Sequence, residues 1–267
     1  MENFDVIILA GQSNAEGNGI MDMTEEDGIT DKAYELVDKN PAYIYTTENG
    51  GWAFELTVPT ETVLKRAAYR TDGKVKYADL SGEFANAYAQ HCLKGDRKIL
   101  IVKTPIGGTG FTKKQWGVGN ILSDRLFTMV DKALALGGDN KVVGLLWHQG
   151  EHDAFERADK TAKEIYDYYT EKFTEQMLAI RARYGNMPII AGEFVNEWAD
   201  ANKRECDAVE TATKDVLRKL GNSAVVSSEG LMSNNQKCGN GDGIHFCADS
   251  VKELGKRYYE AFVNVRR

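Results

Sequence analysis

Residues 4–19 read FDVIILAGQSNAEGNG, and the break inside this stretch decides the fold. A nearly unbroken apolar run, Phe4 to Ala10, stops at Gly11-Gln12-Ser13-Asn14. A run without polar alternation suits a strand covered on both faces, as in a parallel sheet, and this one is too short to span a membrane. The same signature recurs at Lys98–Thr104 (KILIVKT), Lys141–Trp147 (KVVGLLW), Met187–Phe194 (MPIIAGEF) and Ser223–Ser227 (SAVVS). Between these runs lie apolar stripes spaced mostly by three and four: Phe84, Ala85, Tyr88, Ala89 and Cys92, then Ile165 to Tyr184, then Val209, Val216 and Leu220, then Val251 to Val265. Strands alternating with amphipathic helices predict right-handed βαβ units and an α/β fold, a three-layer α/β/α sandwich around a five-stranded parallel sheet. Five strands are too few for an eight-stranded barrel.

The segment 20–80 departs from this rhythm. It has little helical period, and turn signals stand at Asn49-Gly50-Gly51 and Asp72-Gly73, so it is expected to form hairpins and loops over one edge. No repeat, low-complexity tract or linker divides the chain, and residues 1–267 are read as one domain carrying that insertion.

Composition narrows the class of function. The 267 residues are 42% hydrophobic, enough for a substantial core, with 40 acidic against 33 basic residues and a net charge of −7. No basic cluster is present, so neither nucleic acid nor a membrane is an expected partner. The four cysteines fit no disulfide framework and are expected to be free thiols, with a Cys238–Cys247 bridge as the alternative. Without a signal-like N-terminus the chain reads as cytoplasmic, although a secreted protein after processing would read the same.

In an open α/β sheet, ligands bind beyond the carboxyl ends of the strands. There the sequence places Gly11-Gln12-Ser13-Asn14, then Pro105-Ile106-Gly107-Gly108-Thr109-Gly110, then His148-Gln149-Gly150-Glu151-His152-Asp153, and finally Gly241-Asp242-Gly243-Ile244-His245 before the last helix. Acyl transfer needs residues of these types. A serine requires a base to take its proton, and His245 is suited to it. A carboxylate must orient the ring, and Asp242, three residues earlier, can reach it. The oxyanion needs preorganised donors, for which the backbone N–H groups of Ser13, Gly107 and Gly108 and the side-chain amide of Gln149 are candidates.

Each element also has a plainer reading. A Gly-x-Ser-Asn turn is often a helix cap, a lone loop histidine is often structural, and Gly107-Gly108 could cradle a phosphate, although no P-loop lysine follows. His148 to His152 formally matches H-x-x-E-H, a zinc-hydrolase pattern, but it follows a strand-like run and contains Gly150. Ala15 breaks the G-x-S-x-G elbow. No metal and no cofactor is expected.

Together, GQSNAEG, PIGGTGF, LLWHQGEHDA and GDGIHF resemble the motif blocks of the SGNH (GDSL-like) hydrolases, and more closely their carbohydrate-esterase branch of sialate O-acetylesterase-like and family-six acetylxylan esterases. The resemblance runs from Phe4 to about Phe262 and implies a flavodoxin-like sheet. It implies Ser13 as nucleophile, His245 as base, Asp242 as its orienting acid, and Ser13, Gly107, Gly108 and Gln149 around the oxyanion. In such enzymes the glutamate of the third block, here Glu151, has also been read as the partner of the histidine; Asp242 ranks above it because Asp-x-x-His is intact. Glu151 and Asn14 are then supporting residues, Asn14 as a local turn stabiliser. His152 departs from the family pattern and is either a substrate contact or a surface histidine. The implied activity is removal of O-acetyl groups from xylan-type oligosaccharides or sialic acids through an acyl-enzyme, with Trp52 and Trp116 as candidate sugar contacts. The alternatives are a non-catalytic carbohydrate-binding module on the same fold and a zinc hydrolase using His148 and His152. The oligomeric state is left open.

Overall fold

The computed structural model describes residues 2–39, 43–46 and 53–266. Strand β1 (Phe4–Gly11) runs into a one-turn helix α1 (Ser13–Glu16). Six short strands follow: β2 (Gly19–Met21), β3 (Ala33–Asp38), β4 (Tyr43–Thr46), β5 (Ala53–Leu56), β6 (Thr62–Arg66) and β7 (Arg70–Thr71). Next come β8 (Lys76–Ala78), α2 (Ser81–His91), β9 (Lys98–Lys103), α3 (Ile121–Leu134), β10 (Lys141–His148), α4 (Glu151–Glu156) and α5 (Ala162–Tyr184). The chain ends with β11 (Ile189–Gly192), α6 (Asn196–Ala201), α7 (Lys203–Leu220), β12 (Ser223–Val226), α8 (Asn234–Cys238) and α9 (Ala248–Val265).

The main sheet has the order β12-β11-β10-β1-β9-β3-β6. Numbered along the chain, the five strands expected from the sequence, β1, β9, β10, β11 and β12, stand in the flavodoxin-like order 2-1-3-4-5 and are all parallel. Alternate residues of β1 enter opposite layers. Val6, Ile8 and Ala10 pack with Leu126, Met129, Phe173 and Val209 of α3, α5 and α7, whereas Ile7 and Leu9 pack with Phe84, Tyr88, Leu254 and Phe262 of α2 and α9. Both faces of the central strands are therefore buried, which is why their sequence carries no alternation.

The sheet has seven strands rather than five. From the insertion, β3 pairs parallel with β9 and β6 pairs antiparallel with β3. The apolar pattern of β3 is interrupted by Glu35, 2% exposed, which is accommodated by Lys103 and Lys65 at 2.8 and 3.1 Å. Outside this sheet β4 pairs antiparallel with β5, and β8 pairs antiparallel with both β2 and β7, the β7–β8 hairpin turning at Gly73 with φ +87°. The Asn49-Gly50-Gly51 signal lies outside the described residues. All four cysteines are free thiols.

Candidate active site

The strand order reverses at β1, so a crevice opens beyond its carboxyl end. Gly11 ends the strand at φ +132°, and a Cβ there would lie 2.0 Å from the His148 carbonyl oxygen. Only glycine permits this approach, and it lets the Gln12 N–H donate to that carbonyl at 2.9 Å, tying the ends of β1 and β10 together. The chain then turns at once into α1. Ser13, 8% exposed, begins this turn with no side-chain cap above it, so its N–H has no intrahelical partner. Its carbonyl accepts from the Asn18 side chain at 2.7 Å, which fixes the turn.

Asn14 holds the opposite wall. Its Nδ2 donates to Glu151 Oε1 at 2.8 Å and to the Ile244 carbonyl at 3.1 Å, while its Oδ1 accepts from the Phe246 N–H at 3.1 Å. The residues before and after His245 are thus both bound by one side chain. Asn14 bridges across the site, a wider role than the local turn stabiliser expected from sequence.

On that wall His245 Nδ1 lies 2.9 Å from Asp242 Oδ1 and 3.0 Å from Oδ2. With a carboxylate there the proton sits on Nδ1, leaving Nε2 as the basic nitrogen. Asn234 Nδ2 donates to Asp242 Oδ2 at 2.9 Å. Partial burial pushes the Asp242 carboxyl up, but the hydrogen bonds from His245 and Asn234 outweigh it, and its pKa lies below the usual aspartate value. From α6, Glu197 accepts from Asn235 Nδ2 at 2.6 Å and also from Ser233 Oγ, bracing the α8 cap beneath the loop. Glu151 does not meet His245. It faces Asn14 and, at 3.5 Å, His148; these outweigh the effect of burial and hold its pKa below the usual glutamate value.

The glycine block closes the third side. A Cβ on Gly107 would sit 3.4 Å from Ser13 Cβ, so this loop lies directly against the serine. The Gly107 N–H donates to Glu16 Oε2 at 2.8 Å and is therefore already engaged, contrary to the expectation that it is free for an oxyanion. Burial raises the Glu16 pKa despite the nearby Arg70 charge and this hydrogen bond. Asp153 anchors the continuation of the loop, accepting from the N–H groups of Phe111 and Thr112 at 3.1 and 2.7 Å.

A cavity of about 950 Å³ is lined by Ser13, Gly107, Gly108, Glu151, His152, Asp242 and His245, so the sequence-derived set largely converges. Two members need correction. Gln149 does not line the cavity: its Nε2 donates to Asp153 Oδ2 at 2.6 Å and its Oε1 accepts from Tyr169 at 3.1 Å, so its amide is turned inward. Gln12 lines the cavity instead. Its Oε1 accepts from the His152 and Gly150 N–H groups at 3.1 and 3.3 Å, which leaves its Nε2 without a partner among the described residues. Trp116 is fully buried, bonded to Thr109 and packed edge-on against Trp147 at 5.0 Å, and touches no cavity surface. Trp52 lies outside the described residues.

The zinc pattern has no helix to support it. His148 ends β10 and bonds Tyr258 at 3.0 Å, Gly150 breaks the chain at φ +141°, and His152 sits on α4 near Glu156 at 3.7 Å. Among the described residues no three His, Cys, Asp or Glu side chains are grouped to hold a metal ion. His152 lines the cavity, and burial together with Lys113 lowers its pKa. Sequence reasoning missed Gln12, Glu16, Arg70, Tyr77, Phe155, Glu197 and Trp198 in the lining. Gln12 and Glu16 stand inside the GQSNAEG block and could have been weighed; Phe155 and Trp198 sit on helices whose open faces only the packing reveals.

The parallel core and its switch-point cavity define the class by architecture, the α/β/α sandwich of the SGNH fold. More narrowly, the chain belongs to the carbohydrate esterase, sialic acid-specific acetylesterase family, whose model matches residues 3–264. It is accordingly a carboxylic ester hydrolase of the carbohydrate acetylesterase kind. Among solved structures, that of NanS superposes with a TM-score of 0.72 at 18% identity, covering 100% of this chain and 98% of that one. A protein from Arabidopsis thaliana gives 0.68 at 19% identity, covering 99% of both chains. A carbohydrate acetylesterase from Xanthomonas citri gives 0.60 at 16% identity, covering 98% of this chain and 56% of that one. At these identities the likeness is one of fold. A search of curated protein sequences gives no match.

Proposed function

We propose that the protein removes O-acetyl groups from carbohydrates through an acyl-enzyme on Ser13. The observation that carries this reading is Asp242 held against His245 Nδ1 in the cavity that Ser13 also lines. Ser13 Oγ attacks the ester carbonyl as His245 Nε2 takes its proton, and the carbonyl electrons move onto oxygen. Collapse breaks the bond to the sugar oxygen, which leaves with the proton from His245. Water then attacks the acetyl group, again with His245 as base, releasing acetate and restoring Ser13. The oxyanion is held by the Ser13 and Gly108 N–H groups and by Gln12 Nε2, with Gln149 and Asp153 keeping the surrounding loops in place.

Two open aromatic surfaces support a sugar ligand: Phe155 is 67% exposed, and Trp198 lines the same cavity. The experiment is release of p-nitrophenol from p-nitrophenyl acetate, together with mass spectrometry of protein quenched during turnover. An added acetyl group on the peptide containing Ser13, and loss of release in Ser13→Ala, are expected. Full turnover in Ser13→Ala would overturn the mechanism.

A further inference from the structure

The glycine block is tied to the nucleophile turn through two successive amides. The Ile106 N–H donates to the Gly11 carbonyl at 3.3 Å, and the Gly107 N–H donates to Glu16 Oε2 at 2.8 Å. A Cβ on Gly107 would stand 3.0 Å from Glu16 Oε2 and 3.4 Å from Ser13 Cβ, so the loop passes between carboxylate and nucleophile where a side chain would crowd both. The next amide differs. Gly108 lines the cavity at φ +67°, and its N–H has no hydrogen-bond partner among the described residues.

Glu16 shares the α1 turn with Ser13, its own N–H donating to the Gln12 carbonyl at 2.8 Å, so nucleophile and carboxylate move as one unit. The acid is half-buried, and burial raises its pKa; the charge that offsets this most is Arg70, held beside the turn by its bond to the Gly17 carbonyl at 2.9 Å. A carboxylate accepting a backbone N–H makes a charge-assisted bond, stronger than a neutral acceptor would make. We infer that Glu16 is a positioning residue for the oxyanion hole: by clamping the Gly107 N–H from the turn that carries Ser13, it fixes the Gly107–Gly108 peptide with the Gly108 N–H toward the oxygen that gains charge. The inference rests on the proposed esterase reading and adds to it the residue that sets one of its donors. Such donors act only when they are in place before the reaction, and a displacement of about 1 Å can cost on the order of 100-fold in rate. The competing explanation is a purely structural one, in which Glu16 stabilises the loop and has no effect on turnover.

The test compares p-nitrophenyl acetate hydrolysis by wild type, Glu16→Ala and Glu16→Gln, each assayed where urea titration shows it folded. Glu16→Ala is expected to lower kcat by roughly 10- to 100-fold with KM within about 2-fold of wild type, the pattern of an interaction made only in the transition state. Glu16→Gln keeps an oxygen for the Gly107 N–H and should recover most of that kcat. A purely structural role would shift the urea midpoint and leave kcat of the folded protein alone. Wild-type kcat in Glu16→Ala, a loss confined to KM, or a Glu16→Gln variant no better than Glu16→Ala overturns the inference. Amide hydrogen exchange followed by nuclear magnetic resonance tests the clamp without turnover: Gly107 should be protected in wild type and Gly108 not, and Glu16→Ala should remove the protection. A Gly107 amide that is unprotected in wild type, or equally protected in Glu16→Ala, overturns the clamp. If wild type does not hydrolyse p-nitrophenyl acetate at all, the esterase reading fails instead, and the exchange result still decides the clamp.

Discussion

Asp242 and His245 meet within a single loop, three residues apart, and the carboxylate that faces the ring nitrogen at 3.0 Å also accepts the His245 backbone N–H at 3.3 Å. Ring and main chain are therefore oriented by the same side chain. Glu151 lies on another element and is tied to the histidine loop through Asn14, which donates to it at 2.8 Å and also bonds Ile244 and Phe246.

This separates two substitutions that the sequence left competing. Asp242→Asn should lower kcat on p-nitrophenyl acetate by about 10³- to 10⁴-fold, because the wrong tautomer of His245 is then favoured. Glu151→Gln keeps the contact to Asn14 in a different form and should cost far less. Both are to be compared at equal folded fraction by circular dichroism. The reverse ranking would return Glu151 to the role of acid.

Asn14 provides a second test, now of architecture. Asn14→Ala removes bonds to Glu151, Ile244 and Phe246 and leaves a buried carboxylate short of a donor, so a loss of about 2 to 4 kcal/mol in stability is expected. Denaturant titration measures it. Activity should fall as well, because the His245 loop loses its tie to the serine turn. A fully stable variant would mean that the loop is held elsewhere, for example by Glu197 through α8.

The two glutamines should behave differently. Gln12→Ala removes a donor that faces the cavity and should lower kcat by about 10²-fold with little change in KM. Gln149→Ala removes the partner of Asp153 and Tyr169 and should lower the melting temperature first. If Gln149→Ala lowers kcat as steeply at full stability, the amide turns outward during catalysis, and Gln149 regains the donor role its sequence position suggested.

Much of this site could be read in advance because its parts stand where apolar runs stop. A buried parallel strand has no polar residue to spare, so Gly11, Pro105 and His148 mark the sheet edge, and the polar residues after them share one crevice. What escaped the sequence depends on partners far along the chain. Glu35 interrupts β3 and is tolerated inside only because Lys103 and Lys65 arrive beside it. Gln12 and Gln149 are chemically identical, and which of them faces the cavity is decided by Asp153 and Tyr169. Trp116 looked like a sugar platform until Trp147 and Thr109 enclosed it.

The acids of the site respond to pH in opposite directions. Asp242 and Glu151 have folded pKa values below their ordinary ones, so the stability they contribute is complete above roughly pH 4, near the unfolded carboxylate values, and is lost as pH falls through the folded ones. Glu16 is shifted upward, chiefly by burial, so the folded protein binds its proton more tightly than the unfolded chain does. Its ionised form then costs stability, fully above the folded pKa and not at all well below the unfolded value near 4.3. Glu16→Gln keeps an oxygen for the Gly107 N–H and removes this charge. It should be more stable than wild type at neutral pH, with the difference shrinking as the medium is acidified toward pH 4. Urea midpoints recorded for both proteins across that range provide the check. A difference that widens on acidification would show that the Glu16 carboxylate is stabilised as an anion, by Arg70 and Gly107, against the direction set by burial.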